Sequence, residues 1–222
     1  MSDFVEGTRF LVENSDQAMA QFREHLVLVA VSELAAIALA IPAAILAVRN
    51  DRAKSIVLGF GNAAQTIPTI AILFLAFPLI GLGFWPSIVG LWAYAILPII
   101  VNTIKGIENV DDGTVEAARG MGMTDWEILR SIQLPLALPV IFAGIRTSVV
   151  LVIGTAYLAV FIGGGGLGYW VVAGIQGYNV PMIIAGAIPG AMLAIGADLL
   201  LAKIEHFIGG EGGVGDPTGQ GI

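Results

Sequence analysis

Glu116-Ala117-Ala118-Arg119-Gly120-Met121-Gly122, followed after a short gap by Ile132-Gln133-Leu134-Pro135, is a polar stretch set between long apolar segments, and its reading decides the fold. Asp111, Asp112 and Thr114 are candidate caps for a helix through Glu116 to Met121, which Gly120 and Gly122 weaken and then end. A second helix starts at Thr124. Thr124 and Glu127 have capping-box spacing, Met123 and Ile128 are placed as a hydrophobic staple, and Asp125 and Glu127 complement the positive helix end. Pro135 and Pro139 mark the start of the next apolar run. The expected product, over about residues 108–135, is a rigid two-helix elbow that exposes the small residues Ala117, Ala118 and Gly122, so that another protein's backbone can approach.

The segments on either side are lipid-like. With 57% apolar residues, 12% charged residues and a mean hydropathy of +0.88, the chain departs from the composition of water-soluble domains and reads as a membrane protein. A bilayer core about 30 Å thick needs roughly 20 apolar helical residues. Five runs reach about that length: residues 25–48, 55–78, 85–105, 136–162 and 181–204. They are continuous rather than alternating, which favours helices over a barrel. The fold class is therefore all-α integral membrane, with about five transmembrane helices and the elbow between the third and fourth.

The basic residues orient this domain, because cytoplasmic loops are enriched in them. Arg49, Arg52 and Lys54 lie between the first two spans. Lys105, Arg119, Arg130 and Arg146 lie in or beside the elbow, and Lys203 ends the fifth span. Five crossings then place the amino terminus outside and the carboxyl terminus in the cytoplasm of a multi-pass cell-membrane protein. Residues 1–24 are expected to form an acidic extracytoplasmic segment, residues 25–208 the membrane domain, and the glycine-rich residues 209–222 a flexible tail. The first two dozen residues lack the basic and short apolar regions of a cleavable signal, so the first span is expected to be the targeting signal.

Several chemistries are excluded. The absence of cysteine removes disulfides, thiolate metal sites and thiol nucleophiles. A net charge of -7 argues against nucleic acid, whose partners carry basic faces. No P-loop combination of glycines, lysine and Ser or Thr occurs, so any nucleotide chemistry belongs to another chain. Gly163, Gly165 and Gly168 match the spacing GxGxxG, but no acidic residue lies between Glu127 and Asp198 to hold a ribose, and an outer loop packed against the membrane face is the better reading. His25 and His206 flank opposite ends of the domain, both at interfaces, and cannot share a metal.

Candidates for a substrate path are polar or helix-breaking residues inside spans. Glu33 and Asp198 are ionisable there, and burying charge in hydrocarbon is costly. Glu33 is placed either to pack between helices or to face an aqueous path; Asp198 is near enough to the inner end to pair with Lys203 or a neighbouring loop. Pro42, Pro68, Pro98 and Pro189 interrupt spans, and Gln65, Thr66 and Asn102 either hydrogen-bond between helices or line the path. Glu33, Gln65, Thr66, Pro68 and Asn102 form the candidate path set. Trp85, Tyr169, Trp170 and Tyr178 read as a belt at the outer boundary, with a cation-π surface for a quaternary ammonium group as the sharper alternative.

The chain resembles the membrane-spanning permease subunits of ABC importers, whose signature is Glu-Ala-Ala, three residues, Gly, nine residues, Ile, one residue, Leu-Pro. Glu116, Ala117, Ala118, Gly122, Ile132, Leu134 and Pro135 meet every position. The likeness is nearest to the osmoprotectant branch, which imports glycine betaine, carnitine, choline and similar compounds. Supporting segments are residues 65–68, 97–103, 143–147 and 161–168. The resemblance implies that cytoplasmic ABC ATPase subunits dock on Glu116, Ala117, Ala118, Arg119, Gly122, Met123 and Thr124, with ATP and magnesium on those subunits and no cofactor on this chain. It also implies a second permease chain, identical or different, and an extracytoplasmic substrate-binding protein. The alternatives are an amino-acid permease of the same kind and an ion-coupled secondary transporter, for which paired inverted repeats are not evident. An integral-membrane enzyme would need clustered acids, bases or ligands that this composition does not offer.

Overall fold

The structure, a computed structural model, describes residues 2–209. The expected tail at 209–222 lies almost wholly outside the described residues. Among them the secondary structure is helical throughout: α1 (Ser2–Glu13), α2 (Ser15–Ala47), α3 (Asp51–Thr66), α4 (Thr69–Ile80), α5 (Phe84–Glu108), α6 (Asp112–Gly120), α7 (Asp125–Ile128), α8 (Leu134–Thr155), α9 (Gly168–Gln176) and α10 (Val180–Gly209). A π-turn (Leu129–Gln133) joins α7 to α8, and a 3-10 segment (Ala156–Ile162) continues α8, so one rod runs from the elbow to the far end of the fourth span. Four helices among the described residues are long and apolar enough to cross a membrane, and α3 and α4 together add a fifth when the bent pair is counted as one span.

That pair corrects the expectation of one continuous second span. Pro68 cannot donate a backbone hydrogen bond, and the residue before a proline is driven from the α region. Ile67 accordingly sits at φ −85°, ψ 127°, and the two halves diverge by 99°. The break is stabilised by α5. The Tyr94 hydroxyl donates to the Ile67 carbonyl at 2.7 Å, and Gln65 Nε2 donates at 3.2 Å to the Tyr94 carbonyl, the acceptor that Pro98 leaves unpaired one turn on. Each proline thus frees backbone polarity that the other helix satisfies.

Two further boundaries move. Helix α2 already runs from Ser15, ahead of the expected start of the first span at residue 25, and α1 folds against α10 with Gly7 facing Ile184. The outer loop beyond Gly163 contains α9, which packs on α10 through Gly174 and Gly186.

Lipid tails are as apolar as leucine, so helices associate in a membrane by close packing rather than by the hydrophobic effect. Small residues provide the approach. Ala36, Ala40 and Ala44 make a buried stripe on α2 at a spacing of four. On α8, a Cβ added at Gly144 would lie 2.6 Å from Asn102 Cβ and 2.9 Å from the Pro98 carbonyl, so only a hydrogen fits there. Helices α2, α5 and α8 meet around Leu28, Leu91, Ile96, Ile99, Val152 and Ile153. This three-helix core carries the elbow at one end.

Candidate functional site: the elbow between α5 and α8

Asp111 caps α6. Its carboxylate accepts from the Thr114 backbone N–H at 2.8 Å and from the Thr114 hydroxyl at 3.1 Å, while Arg119 lies in the last turn, where a cation complements the helix dipole. The other end closes as a Schellman motif: Met123 N–H donates to the Ala118 carbonyl at 3.2 Å and Gly122 N–H to the Arg119 carbonyl at 3.0 Å. Gly122 makes this closure at φ +87°, the left-handed region that L side chains resist. A Cβ there would meet no other atom, so its conformation rather than crowding explains the glycine.

The chain then turns directly into α7. The Thr124 N–H donates to Glu127 at 2.7 Å, and the Glu127 N–H donates back to the Thr124 hydroxyl at 3.4 Å, completing the expected capping box. The Thr124 hydroxyl also donates to the Glu127 carboxylate. These bonds hold the Glu127 carboxyl below its ordinary range. Ile128 and Leu129 turn inward, and Leu129 packs with Ile107, Ala137 and Ile141. In the π-turn the Leu134 N–H reaches the Leu129 carbonyl five residues back, a wide turn that passes the chain to Pro135, which has no donor to place.

The elbow is fastened to the α2–α3 turn. Arg49 donates to the Asp125 carbonyl and lies 3.8 Å from its carboxylate, which Arg119 meets from the other side at 3.2 Å. Lys54 pairs with Glu108 at 2.7 Å and with Asp51 at 3.3 Å. Gln133 Nε2 donates to the Ile107 carbonyl at 3.4 Å. A gap of about 360 Å³ separates elbow and turn, with Arg49, Arg119, Asp125 and Gln133 on its walls. The contact therefore combines these polar links with an apolar one, Val48 against the cluster of Ile107 and Leu129.

Of the candidate docking residues, Glu116, Ala117, Arg119, Gly122 and Thr124 are exposed and Met123 is half-buried. Ala118 is a correction: it is 1% exposed, because its carbonyl closes the Schellman motif and its methyl faces inward. In its place the elbow presents Met121 and Trp126, 75% and 58% exposed. Large apolar side chains rimmed by charge mark interaction surfaces. The signal was present, since both lie beside capping residues in a polar insert with no apolar face to hide them.

The candidate path residues do not form one cluster. Gln65, Thr66 and Pro68 gather at the α3–α4 break, with Thr66 bonded to the Ala63 carbonyl at 2.8 Å. Asn102 lies farther along α5, donates to the Pro98 carbonyl at 2.8 Å and abuts Gly144. Glu33 is buried in the three-helix core, 3.0 Å from the Ser148 hydroxyl.

Other side chains also depart from expectation. Asp198 does not pair with Lys203. Arg146, expected beside the elbow, sits well within α8 and binds Asp198 through two nitrogens at 2.6 and 3.0 Å, with Glu205 at 3.3 Å. Trp170 is buried edge-on against Phe10 instead of anchoring in the belt, whereas Trp85, Tyr169 and Tyr178 are exposed. His25 is buried rather than interfacial, with Nε2 3.1 Å from the Ile153 carbonyl and its ring edge-on to Tyr157. Gly163, Gly165 and Gly166 have positive φ, and the Gly166 N–H donates to Glu24 at 3.0 Å, so the glycine run is a tight turn against α2.

Comparison with known proteins gives consistent results. The family described as "Binding-protein-dependent transport system inner membrane component" matches residues 36–221. The glycine betaine/carnitine/choline transport system permease protein OpuCB of Bacillus subtilis (strain 168) is 42% identical over 90% of this chain and 92% of its own length. The carnitine transport permease protein OpuCB of Listeria monocytogenes is 39% identical over 89% and 90%. In fold, the chain is similar to an inward facing structure of the MetNI methionine ABC transporter, with a TM-score of 0.77 and 22% identity, covering 86% of this chain and 95% of that one.

Proposed function

Since this chain belongs to the binding-protein-dependent transport system inner membrane components, we propose that its elbow is the surface through which separate ABC ATPase subunits drive it. The chain is a transport subunit and not an enzyme. The observation that carries the reading is mechanical: a surface with both ends capped, presenting Met121, Trp126 and Ala117, is continuous through the π-turn with the α8 rod that crosses the membrane. A push on that surface moves α8 rather than bending a loop.

In this reading Glu116, Ala117, Arg119, Gly122, Met123 and Thr124 meet the ATPase, Ala118 supports them from behind, and ATP and magnesium remain on the ATPase. A second permease chain completes the path and an extracytoplasmic binding protein delivers the substrate. In the same reading the elbow end faces the cytoplasm and the amino terminus lies outside, which is supported by the basic residues Arg49, Arg52, Lys54, Arg119 and Arg130 at the elbow end. The substrates are osmoprotectants of the kind named for the relatives, glycine betaine, carnitine and choline. Gln65, Thr66, Pro68 and Asn102 are proposed to border the path, because non-helical backbone such as the α3–α4 break is tolerated at membrane depth where protein buries it or where it lines a water-filled cavity.

Reconstitution tests this. Proteoliposomes holding the chain with its ATPase and binding protein should take up betaine, carnitine or choline only with ATP inside, and the chain alone should be inert. Uptake by the chain alone under an ion gradient overturns the assignment, and uptake of amino acids in place of osmoprotectants moves it to an amino-acid importer. The chain has no native cysteine, so a single cysteine at Ala117 can be labelled cleanly; labelling from the outside face overturns the orientation.

A further inference from the structure

Midway along α2, Glu33 enters the interior where α2, α5 and α8 meet. It is 5% exposed and Ser148 is fully buried. The Ser148 oxygen lies 3.0 Å from Glu33 Oε2 and 3.0 Å from the Ala95 carbonyl on α5. A serine hydroxyl has one proton to donate. An ionised Glu33 and the Ala95 carbonyl would both be acceptors, so two close contacts would share a single proton while a buried charge kept an unpaired oxygen, Glu33 Oε1.

No described ion pair includes Glu33. On α2, His25 is two turns away and engaged with Ile153. On α8, Arg146 is committed to Asp198 and Glu205 of α10. Lys105 and Glu108 lie at the far end of α5, where Glu108 and Asp51 share Lys54 of α3. An isolated carboxylate in such surroundings takes a proton rather than remain charged.

We propose that Glu33 is a neutral carboxylic acid that donates to Ser148, which donates in turn to the Ala95 carbonyl, making one directional chain that fixes α2 against α8 and α5. With the proton on Glu33 each short contact has its own donor. Glu33 is then a positioning residue. It offers no negative charge to a passing cation, which decides between the packing and path readings of this side chain. The inference rests on the fold and holds whatever the transported compound is.

The test is infrared spectroscopy on the full chain, labelled with carbon-13 glutamate and assembled with unlabelled ATPase subunits in lipid vesicles at neutral pH. Exposed carboxyls are ionised there, so a label-sensitive carboxylic-acid carbonyl band reports a buried neutral glutamate. The expected result is a band that disappears in Glu33→Gln and moves to higher frequency in Ser148→Ala, which removes its acceptor. Ser148→Ala identifies the band even where Glu33→Gln does not assemble. Absence of the band in the unaltered chain, or a band indifferent to both changes, overturns the proposal. Glutamine keeps both a donor and an acceptor, so uptake in Glu33→Gln should stay within about twofold of the unaltered chain, against a loss of roughly tenfold in Glu33→Ala, which removes the link from α2 to Ser148 and leaves a void beside it. Because the band is read without transport, its failure is distinct from a failure of the importer reading.

Discussion

The elbow and the three-helix core hold polar groups by opposite means. In the elbow the caps that shape the two helices are local: Asp111 with Thr114, Thr124 with Glu127, Gly122 with Arg119 and Met123 with Ala118 lie within five residues of one another, and remote partners such as Arg49 only fasten it to its surroundings. In the core the partners are remote, with Ser148 reaching Glu33 across 115 positions, and beside it Arg146 of α8 reaches Asp198 of α10 across 52. The elbow is therefore a locally preformed part, which the proposed drive by an ATPase requires to keep its shape, and the core is an assembly whose polar links exist only when the helices are in register. A motor is expected to push on the first and reposition the second.

The sharpest way to break this contrast is at the α5–α8 crossing. Gly144→Leu should lower stability by about 3 kcal/mol or more, since the nearest neighbours include backbone that cannot move aside; thermal unfolding in detergent and yield of assembled complex measure it. Gly122→Val tests the other side. The left-handed φ costs a β-branched residue about 1–2 kcal/mol, confined to the elbow. The protein should still insert and fold while ATP-coupled uptake is lost. If Gly122→Val unfolds the membrane domain, or Gly144→Leu leaves it intact, the division between the regions fails.

Arg146→Ala should loosen α10 from α8 by leaving Asp198 and Glu205 without their partner, and the exchange Arg146→Asp with Asp198→Arg should recover part of the loss. A double-mutant cycle on unfolding midpoints reads that coupling. The smallest effect is expected at Thr124→Ala, about 1 kcal/mol of local helix stability. Because the folded elbow holds the Glu127 carboxyl below its ordinary range, its contribution is fully present above that range and is lost as pH falls through the lowered folded value. Thr124→Ala should flatten this acid-range dependence, measured by hydrogen exchange of the elbow amides. An unchanged profile removes Glu127 from the capping account.

The same contrast explains what could be read early. The capping box, the helix-ending glycine and five apolar runs are properties of neighbouring residues, so spacing alone revealed them. Ala118 was misjudged because a small residue in a polar stretch looks exposed until the Schellman closure turns it inward. Asp198 was matched with Lys203 or a neighbouring loop because these are near in sequence, whereas Arg146, its partner, is near only after α8 and α10 pack. His25 and Trp170 resemble interface residues until α8 and the 3-10 segment cover the first and α1 and α10 the second. The second span looked continuous because its apolar run does not stop at Pro68; the angle depends on α5 supplying Tyr94 and accepting Gln65.

By itself the amino-acid order determined that this chain crosses a membrane several times and carries a capped polar elbow, because hydropathy, turn chemistry and helix capping act over a few residues. Tertiary structure alone decided where the second span bends, which charges pair and which carboxyl is sealed inside. Those outcomes depend on desolvation and on hydrogen-bond partners that arrive from distant helices, and no local pattern encodes them.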